Sequence, residues 1–375
     1  MSQAVAFSQT DPDPKIRVMV VDDAIVFRGF VTRWLSEEPD MEVVSSHRNG
    51  HEALEGFDRV DPDVVVLDIE MPVLDGLATL PLLLEKKPGV TVIISSTVTR
   101  RNAEVGIKAL SLGAADYISK PETNREITTS PVFRRELVQR IRTLGRRRRA
   151  CADAAETQIL APAVPADAKP ISFKLRPVSM VPPRVLVIGS STGGPQALQV
   201  LLQGLGPVLS RLPVLITQHM PPTFTTILAE HLGRASSRPA HEGIDGEPLV
   251  SGTLYVAPGA RHMRIARKDN EVAIVIDDEP PLHFCKPSVD PLFASTAEVF
   301  GPATLALVLT GMGSDGVDGA ARIAAAGGTV IAQDEATSVV WGMPGAVAEA
   351  GVCADILPLS RIAARVAGLI AGDAR

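Results

Sequence analysis

The chain has 375 residues, of which 45% are apolar and 21% charged, with a formal net charge of −6. That length suits two domains with separate cores, and the apolar share excludes a disordered chain. The negative balance disfavours nucleic acid as the main partner. The three cysteines (Cys151, Cys285, Cys353) have no paired spacing, which argues for a reducing compartment without a disulfide framework. The opening MSQAVAFSQTDPDPK lacks the basic end and apolar run of a signal peptide. Nothing approaches the ~18 continuous apolar residues of a membrane span, and a cytoplasmic location is expected.

From Arg17 short apolar runs alternate with amphipathic segments. RVMVV, MEVVSS, DVVVLD, VTVIISS and ADYIS read as strands. Helical patterns follow them at Ile25 to Ser36, Gly50 to Phe57, Gly76 to Lys86, Asn102 to Leu112 and Pro131 to Leu144. Strand–helix alternation implies a parallel sheet covered on both faces, and runs such as VVVL suit strands buried on both sides.

The alternation then stops. Arg146 to Arg149 lead into CADAAETQILAPAVPADAKP, rich in Ala and Pro and without an apolar period. This composition predicts a flexible, solvated linker over 146–182. The basic run has no interleaved aromatics, so it reads as a solvated helix end rather than a nucleic-acid patch. From Arg184 the alternation resumes with VLVIG, PVLITQ, TLYVAP, EVAIVI, TLALVLT and GTVIAQ as strands. Helices are expected near Pro195–Gln203, Thr223–Leu232, Pro291–Phe300 and Gly316–Ala326. The expected fold class is α/β with two doubly wound parallel-sheet domains, the first flavodoxin-like and the second Rossmann-like.

In the first half Asp22 and Asp23 follow the first strand, Asp68 the third, Ser95 closes the fourth and Lys120 follows the fifth. All five should meet at the carboxyl edge of one sheet, where open α/β sheets place ligands. Three carboxylates repel one another unless a cation intervenes, and an all-oxygen set suits Mg²⁺. A hydroxyl and an ammonium beside them suit a phosphoryl group. Each Asp alone is more often a turn former or helix cap; the set of five argues otherwise. VMVVDDAIVFR, VVVLDIEMPVLDG, VIISST and GAADYISKP together resemble the receiver domain of two-component response regulators, from about Lys15 to Leu144. The resemblance implies a phosphoryl-accepting Asp68, Mg²⁺ held by Asp22, Asp23 and Asp68, phosphoryl contacts from Ser95 and Lys120, and an aromatic switch at Tyr117.

In the second half VLVIGSSTGGPQAL reads as strand, tight turn and helix, with Ser190 and Ser191 at the bend. The turn lacks the GK[ST] ending of a phosphate loop and does not fit GxGxxG. A nicotinamide site also wants an acid at the end of the next strand, which instead ends Thr217, Gln218, His219. The histidines make no metal set: His47 and His51 lie in the first half, and His283 with Cys285 has no second pair. His219 follows the strand PVLITQ and Asp315 follows TLALVLT. A serine, His219 and Asp315 at one sheet edge supply a nucleophile, a base and an orienting carboxylate. The helix start after the serines and the glycines of GMGSDG offer backbone N–H donors for an oxyanion. These residues favour a serine hydrolase and leave open whether Ser190 or Ser191 is the nucleophile.

IGSSTGGPQAL, ITQHMP, LYVAPGARHM, PSVDPLF, VLTGMGSDGVDGA and VVWGMPGAV look like the catalytic domain of chemotaxis protein-glutamate methylesterases, from about Pro183 to Ile370. The resemblance implies Ser191 as nucleophile, His219 as base, Asp315 as orienting acid, and the N–H groups of Thr192 and Met312 as oxyanion donors. Ser190 departs from the alanine common in that family and sets a second hydroxyl beside the nucleophile. The resulting expectation is a receiver over 15–145, a linker over 146–182 and a catalytic domain over 183–373. It implies phosphorylation-activated hydrolysis of glutamate methyl esters on chemoreceptor cytoplasmic helices, with glutamine deamidation by the same chemistry. The implied partners are the receptors and a chemotaxis histidine kinase, with no nucleic acid, at the periphery of receptor arrays rather than in the membrane. Mg²⁺ serves the receiver, and the esterase takes no cofactor. The alternative is a receiver-controlled binding module with an inactive second domain. A DNA-binding regulator is excluded, because no helix-turn-helix pattern follows the receiver.

Overall fold

The computed structural model describes residues 14–97, 99–121, 131–160, 173–269 and 271–372. The chain forms two compact units, residues 1–95 with 120–161 and residues 96–119 with 162–375. Among the described residues no helix is long and apolar enough to cross a membrane.

The amino-terminal sheet has five strands: β1 (Ile16–Val21), β2 (Met41–His47), β3 (Val64–Asp68), β4 (Thr91–Thr97) and β5 (Asp116–Lys120). Their order is β2-β1-β3-β4-β5, and β1 pairs in parallel with both β2 and β3. This is the flavodoxin-like order, whose switch point lies between β1 and β3. Asp22 leaves β1 and Asp68 ends β3, so the topology places both at that crevice. Helices α1 (Ile25–Ser36), α2 (Gly50–Val60), α3 (Gly76–Lys86) and α4 (Arg100–Ser111) fill the crossovers. The start of α3 is fixed by Asp75, whose side chain accepts from Ala78 N at 2.8 Å. A Cβ on Gly76 would fall 1.9 Å from the carbonyl oxygen of Asp68, so the turn after the Asp68 strand closes only with glycine there.

Helix α5 spans Pro131–Leu160, continuing beyond the Leu144 at which the apolar pattern ends. Arg, Ala, Glu and Gln are strong helix formers, and their propensity favours helix where the apolar period has ended. The joint expected over 146–182 therefore begins as helix, and its residues 161–172 lie outside the described residues. Arg142 of α5 donates to both carboxylate oxygens of Asp40, at 2.7 and 2.9 Å, and to Glu38 at 2.7 Å.

The second sheet has seven strands. They are β6 (Val185–Ser190), β7 (Val214–Gln218), β8 (Ala240–Glu242), β9 (Leu254–Val256), β12 (Thr304–Val308), β13 (Thr329–Gln333) and β14 (Asp355–Leu357), in the order β14-β13-β12-β6-β7-β9-β8 with parallel pairing. β6, β7 and β12 are buried at every position, as strands with helices on both faces must be. EVAIVI, expected as a strand, forms β11 (Glu271–Asp277), which pairs antiparallel with β10 (His262–Lys268) in a separate hairpin. A partly exposed face on β11 allows this two-stranded pairing. Helices α6 (Gly194–Leu205), α7 (Phe224–Ser236), α8 (Val289–Phe300), α9 (Val317–Ala325), α10 (Met343–Glu349) and α11 (Leu359–Ala371) complete the domain. Strand order reverses between β6 and β12, which makes the crevice beyond their carboxyl ends the place for a ligand.

The Arg142 contact sets one expectation. Hydrogen bonds from Arg142 hold the Asp40 carboxyl below its ordinary value of 3.8. A lowered folded-state value means that the stabilisation is present above the unfolded value and is lost as pH falls through the folded one. Both side chains are partly solvated, so Arg142→Ala should cost only about 1 kcal/mol at pH 7. Hydrogen exchange of β2 amides should quicken accordingly at pH 7, with the difference narrowing below about pH 4; equal exchange at pH 7 would contradict the anchor.

Candidate active site

At the first sheet edge Asp22, Asp68, Ser95 and Lys120 are buried and Asp23 is exposed. Lys120 Nζ pairs with Asp22 and lies 2.8 Å from Asp68 Oδ2. Burial pushes the Asp68 carboxyl up to about 6, with the neighbouring Asp22 adding to the rise and Lys120 opposing it. Asp22 is raised for the same first reason. One ammonium thus faces more carboxylate charge than it neutralises. Oxygens of Asp22, Asp23 and Asp68 lie within 4.8 Å of one another, a donor set that fits a hard divalent cation. Ser95 Oγ is buried without a hydrogen-bond partner among the described residues, which fits a hydroxyl awaiting an acceptor oxygen. Tyr117 is buried, its hydroxyl donating to the Ser96 carbonyl at 3.0 Å.

At the second edge β6, β7 and β12 deliver Ser191, His219 and Asp315. Asp315 is 1% exposed and accepts from four donors. Ser288 Oγ lies at 2.7 Å, Val289 N at 2.6 Å and Asp290 N at 3.2 Å, all at the start of α8. His219 Nε2 is the fourth, at 2.7 Å. Burial alone would raise the Asp315 carboxyl; the His219, Ser288 and Val289 bonds outweigh it and hold the group well below the carboxylate range. An ionised Asp315 assigns the Nε2 proton to His219, which makes Nδ1 the nitrogen that gains and loses the second proton. That nitrogen faces Cys285 Sγ at 3.5 Å. Burial works against a charged imidazole, but Cys285 and Asp315 together raise the His219 value.

The two serines separate clearly. Ser190 Oγ is fully buried and donates to Gln218 Oε1 at 2.7 Å. Gln218 Nε2 in turn donates to the Ser191 carbonyl at 2.9 Å, fixing the backbone of the bend. Ser191 retains 8% exposure, and its hydroxyl makes no hydrogen bond among the described residues, His219 included. Long catalytic contacts are common before substrate binds. A Cβ on Gly311 would stand 2.9 Å from Ser191 Cβ, so glycine there lets the GMGSDG loop, with Met312, lie against Ser191.

Sequence reasoning missed Gln218, Ser288, His262 and Cys285 as parts of this site. His262 is fully buried; its Nδ1 accepts from Ser288 N at 3.1 Å and its Nε2 meets the Pro280 carbonyl at 3.2 Å, bracing the start of α8. The motifs ITQHMP, LYVAPGARHM and PSVDPLF contain three of these residues, but only the fold shows what each touches.

The two edges define a class: a response regulator whose output domain is a separate α/β unit with a serine, histidine and aspartate at its switch point. Residues 18–130 match the response regulator receiver domain and residues 186–366 the CheB methylesterase family. A Nitrobacter hamburgensis protein named protein-glutamate methylesterase/protein-glutamine glutaminase is 59% identical, over 96% of this chain and 95% of that protein. A Rhodopseudomonas palustris protein of that name, from a group 2 operon, is 56% identical over 99% and 98%. The solved catalytic domain of Thermotoga maritima CheB methylesterase is 39% identical, covers 50% of this chain and all of that one, and has a TM-score of 0.49. The chain belongs to the CheB methylesterase family of receiver-linked enzymes. The inactive alternative finds no support, since the relatives carry the names of active enzymes.

The Ser190 contact yields a test. Ser190→Ala leaves Gln218 Oε1 buried without its donor, and stability should fall by about 1–3 kcal/mol. Denaturant titration of the second domain should show the loss; an unchanged midpoint would mean that the Ser190–Gln218 bond contributes nothing.

Proposed function

We propose that the chain is a phosphorylation-activated serine esterase acting on glutamate methyl esters of chemoreceptor cytoplasmic helices. The observation that carries this reading is the convergence of Ser191, His219 and an ionised Asp315 at the ends of β6, β7 and β12. His219 Nδ1 takes the Ser191 proton as Oγ attacks the ester carbonyl. The N–H groups of Thr192 and Met312 receive the oxyanion, and preorganised donors of this kind supply a large share of the barrier reduction. His219 returns the proton to the leaving methoxide, methanol departs, and water hydrolyses the acyl-serine to a free carboxylate. A glutamine side chain enters the same sequence with ammonia as the leaving group, and the relatives' double name supports that second activity.

In the receiver, Asp22, Asp23 and Asp68 would hold Mg²⁺, which supplies charge neutralisation at the phosphoryl group when bound. Asp68 accepts the phosphoryl group from a chemotaxis histidine kinase, with Lys120 and Ser95 contacting its oxygens and Tyr117 as the aromatic switch. The protein works in the cytoplasm at the periphery of receptor arrays, with no nucleic-acid partner. The domains proceed as receiver (15–145), joint (146–182) and esterase (183–373).

Two experiments test the reading. With methyl-labelled receptor membranes, Ser191→Ala should cut methanol release about 10⁴-fold or more, as loss of a triad member does. Ser190→Ala should retain most activity in its folded fraction. The reverse pattern would move the nucleophile to Ser190. Acetyl phosphate with Mg²⁺ should label the wild-type chain and speed methanol release, whereas Asp68→Asn should take no label and gain no speed; normal labelling of that variant would place the acceptor elsewhere.

A further inference from the structure

Cys285 has no part in the esterase chemistry, yet its sulfur lies 3.5 Å from His219 Nδ1, the nitrogen that must take the serine proton. It is presented by a tight turn in which Leu282 and Cys285 exchange backbone hydrogen bonds of 3.2 and 2.7 Å. The thiol is partly exposed, so a small ion can reach it from solvent.

Three features of this pair point to a ligand. First, its donors match a soft or borderline metal: an imidazole nitrogen and a cysteine sulfur, with donor atoms of His219, Cys285 and Asp315 all within 4.8 Å of one another. Secondly, the spacing fits. Zn–S and Zn–N bonds of ~2.3 and ~2.1 Å at a tetrahedral angle put sulfur and nitrogen about 3.6 Å apart, close to the 3.5 Å found. Thirdly, the other face of the imidazole is already set for metal binding. His219 Nε2 meets the Asp315 carboxylate at 2.7 Å, and a carboxylate behind a ligating histidine fixes the ring and raises its basicity. Asp315 itself is occupied by its four donors, so it serves in that outer position rather than as a ligand.

We infer that Cys285 Sγ and His219 Nδ1 form an inhibitory binding site for a thiophilic divalent cation of the Zn²⁺ type. Binding displaces to solvent the proton held between Cys285 Sγ and His219 Nδ1 and places sulfur and nitrogen in two of four coordination positions, with water in the others. No oxidation state changes. An occupied Nδ1 cannot accept the proton of Ser191, so the metal silences the hydrolase without touching the receiver. The hard carboxylate set of Asp22, Asp23 and Asp68 prefers Mg²⁺, and the two sites differ in ligand softness.

The inference rests on the proposed role of His219 only for inhibition; binding is read independently. The full-length chain is equilibrated with buffered free Zn²⁺ and treated with iodoacetamide, and alkylation at each cysteine is followed by peptide mass. Zn²⁺ should slow alkylation of Cys285 at least tenfold, and millimolar Mg²⁺ should not. Methanol release should fall over the same zinc range and recover with EDTA. Cys285→Ser, which keeps a similar volume, should raise the zinc needed for half-inhibition at least tenfold. Unprotected Cys285 would overturn the site, leaving the contact as a plain S–H···N hydrogen bond. Equal zinc sensitivity in Cys285→Ser would overturn it too, placing any inhibition at other residues. Protection of Cys285 in a chain that releases no methanol would support the site while counting against the esterase reading.

Discussion

Asp315 is buried almost completely, and an ionised carboxylate persists there only because Ser288 Oγ, two backbone N–H groups and His219 Nε2 all donate to it. Removing a buried charge's partners costs several kcal/mol, so the start of α8 and the carboxyl end of β12 are locked in one arrangement. The lock has a consequence at the other side of the imidazole ring. With Nε2 committed to Asp315, Nδ1 is the ring nitrogen left to exchange a proton, and its direction is set by a buried carboxylate on the far side of the ring. His262 extends the same constraint outward by holding Ser288 in place.

The two sheet edges solve the problem of buried carboxylates in opposite ways. Around Asp315 the donors are complete, and the group lies below the ordinary carboxylate range. Around Asp68 a single lysine serves two buried carboxylates, and burial pushes the Asp68 carboxyl up to about 6. The under-neutralised set is the one that fits a cation and a phosphoryl group, whereas the saturated one fits a fixed orienter in acyl transfer. Both sit at the switch point of a parallel sheet, so the same topology carries a carboxylate set with a lysine in one half and a serine, histidine and aspartate in the other.

Much of this was legible in the sequence because it is local. Strands buried on both faces read as continuous apolar runs, and the residues that follow β1, β3, β6, β7 and β12 are therefore predictable from chain position alone. What depended on distant pairing was not. β10 and the short edge strands β8 and β14 carry weak apolar signals, so the sequence does not show that the EVAIVI strand pairs with β10 in a separate hairpin. The extension of α5 to Leu160 runs through strong helix formers without an apolar period, so an apolar period cannot report it. The choice between Ser190 and Ser191 turns on Gln218, 28 positions away in the chain. Cys285 meets His219 across 66 positions; no spacing rule connects them.

In the proposed reaction Ser191 Oγ carries the acyl group. A fluorophosphonate, which forms a P–O bond to an activated serine and releases fluoride, reads this directly by peptide mass on the full-length chain. The adduct should map to Ser191 and should be lost when His219→Gln removes the base. An adduct on Ser190 or Cys285, or equal labelling of Ser191 without His219, would contradict the assignment of nucleophile and base.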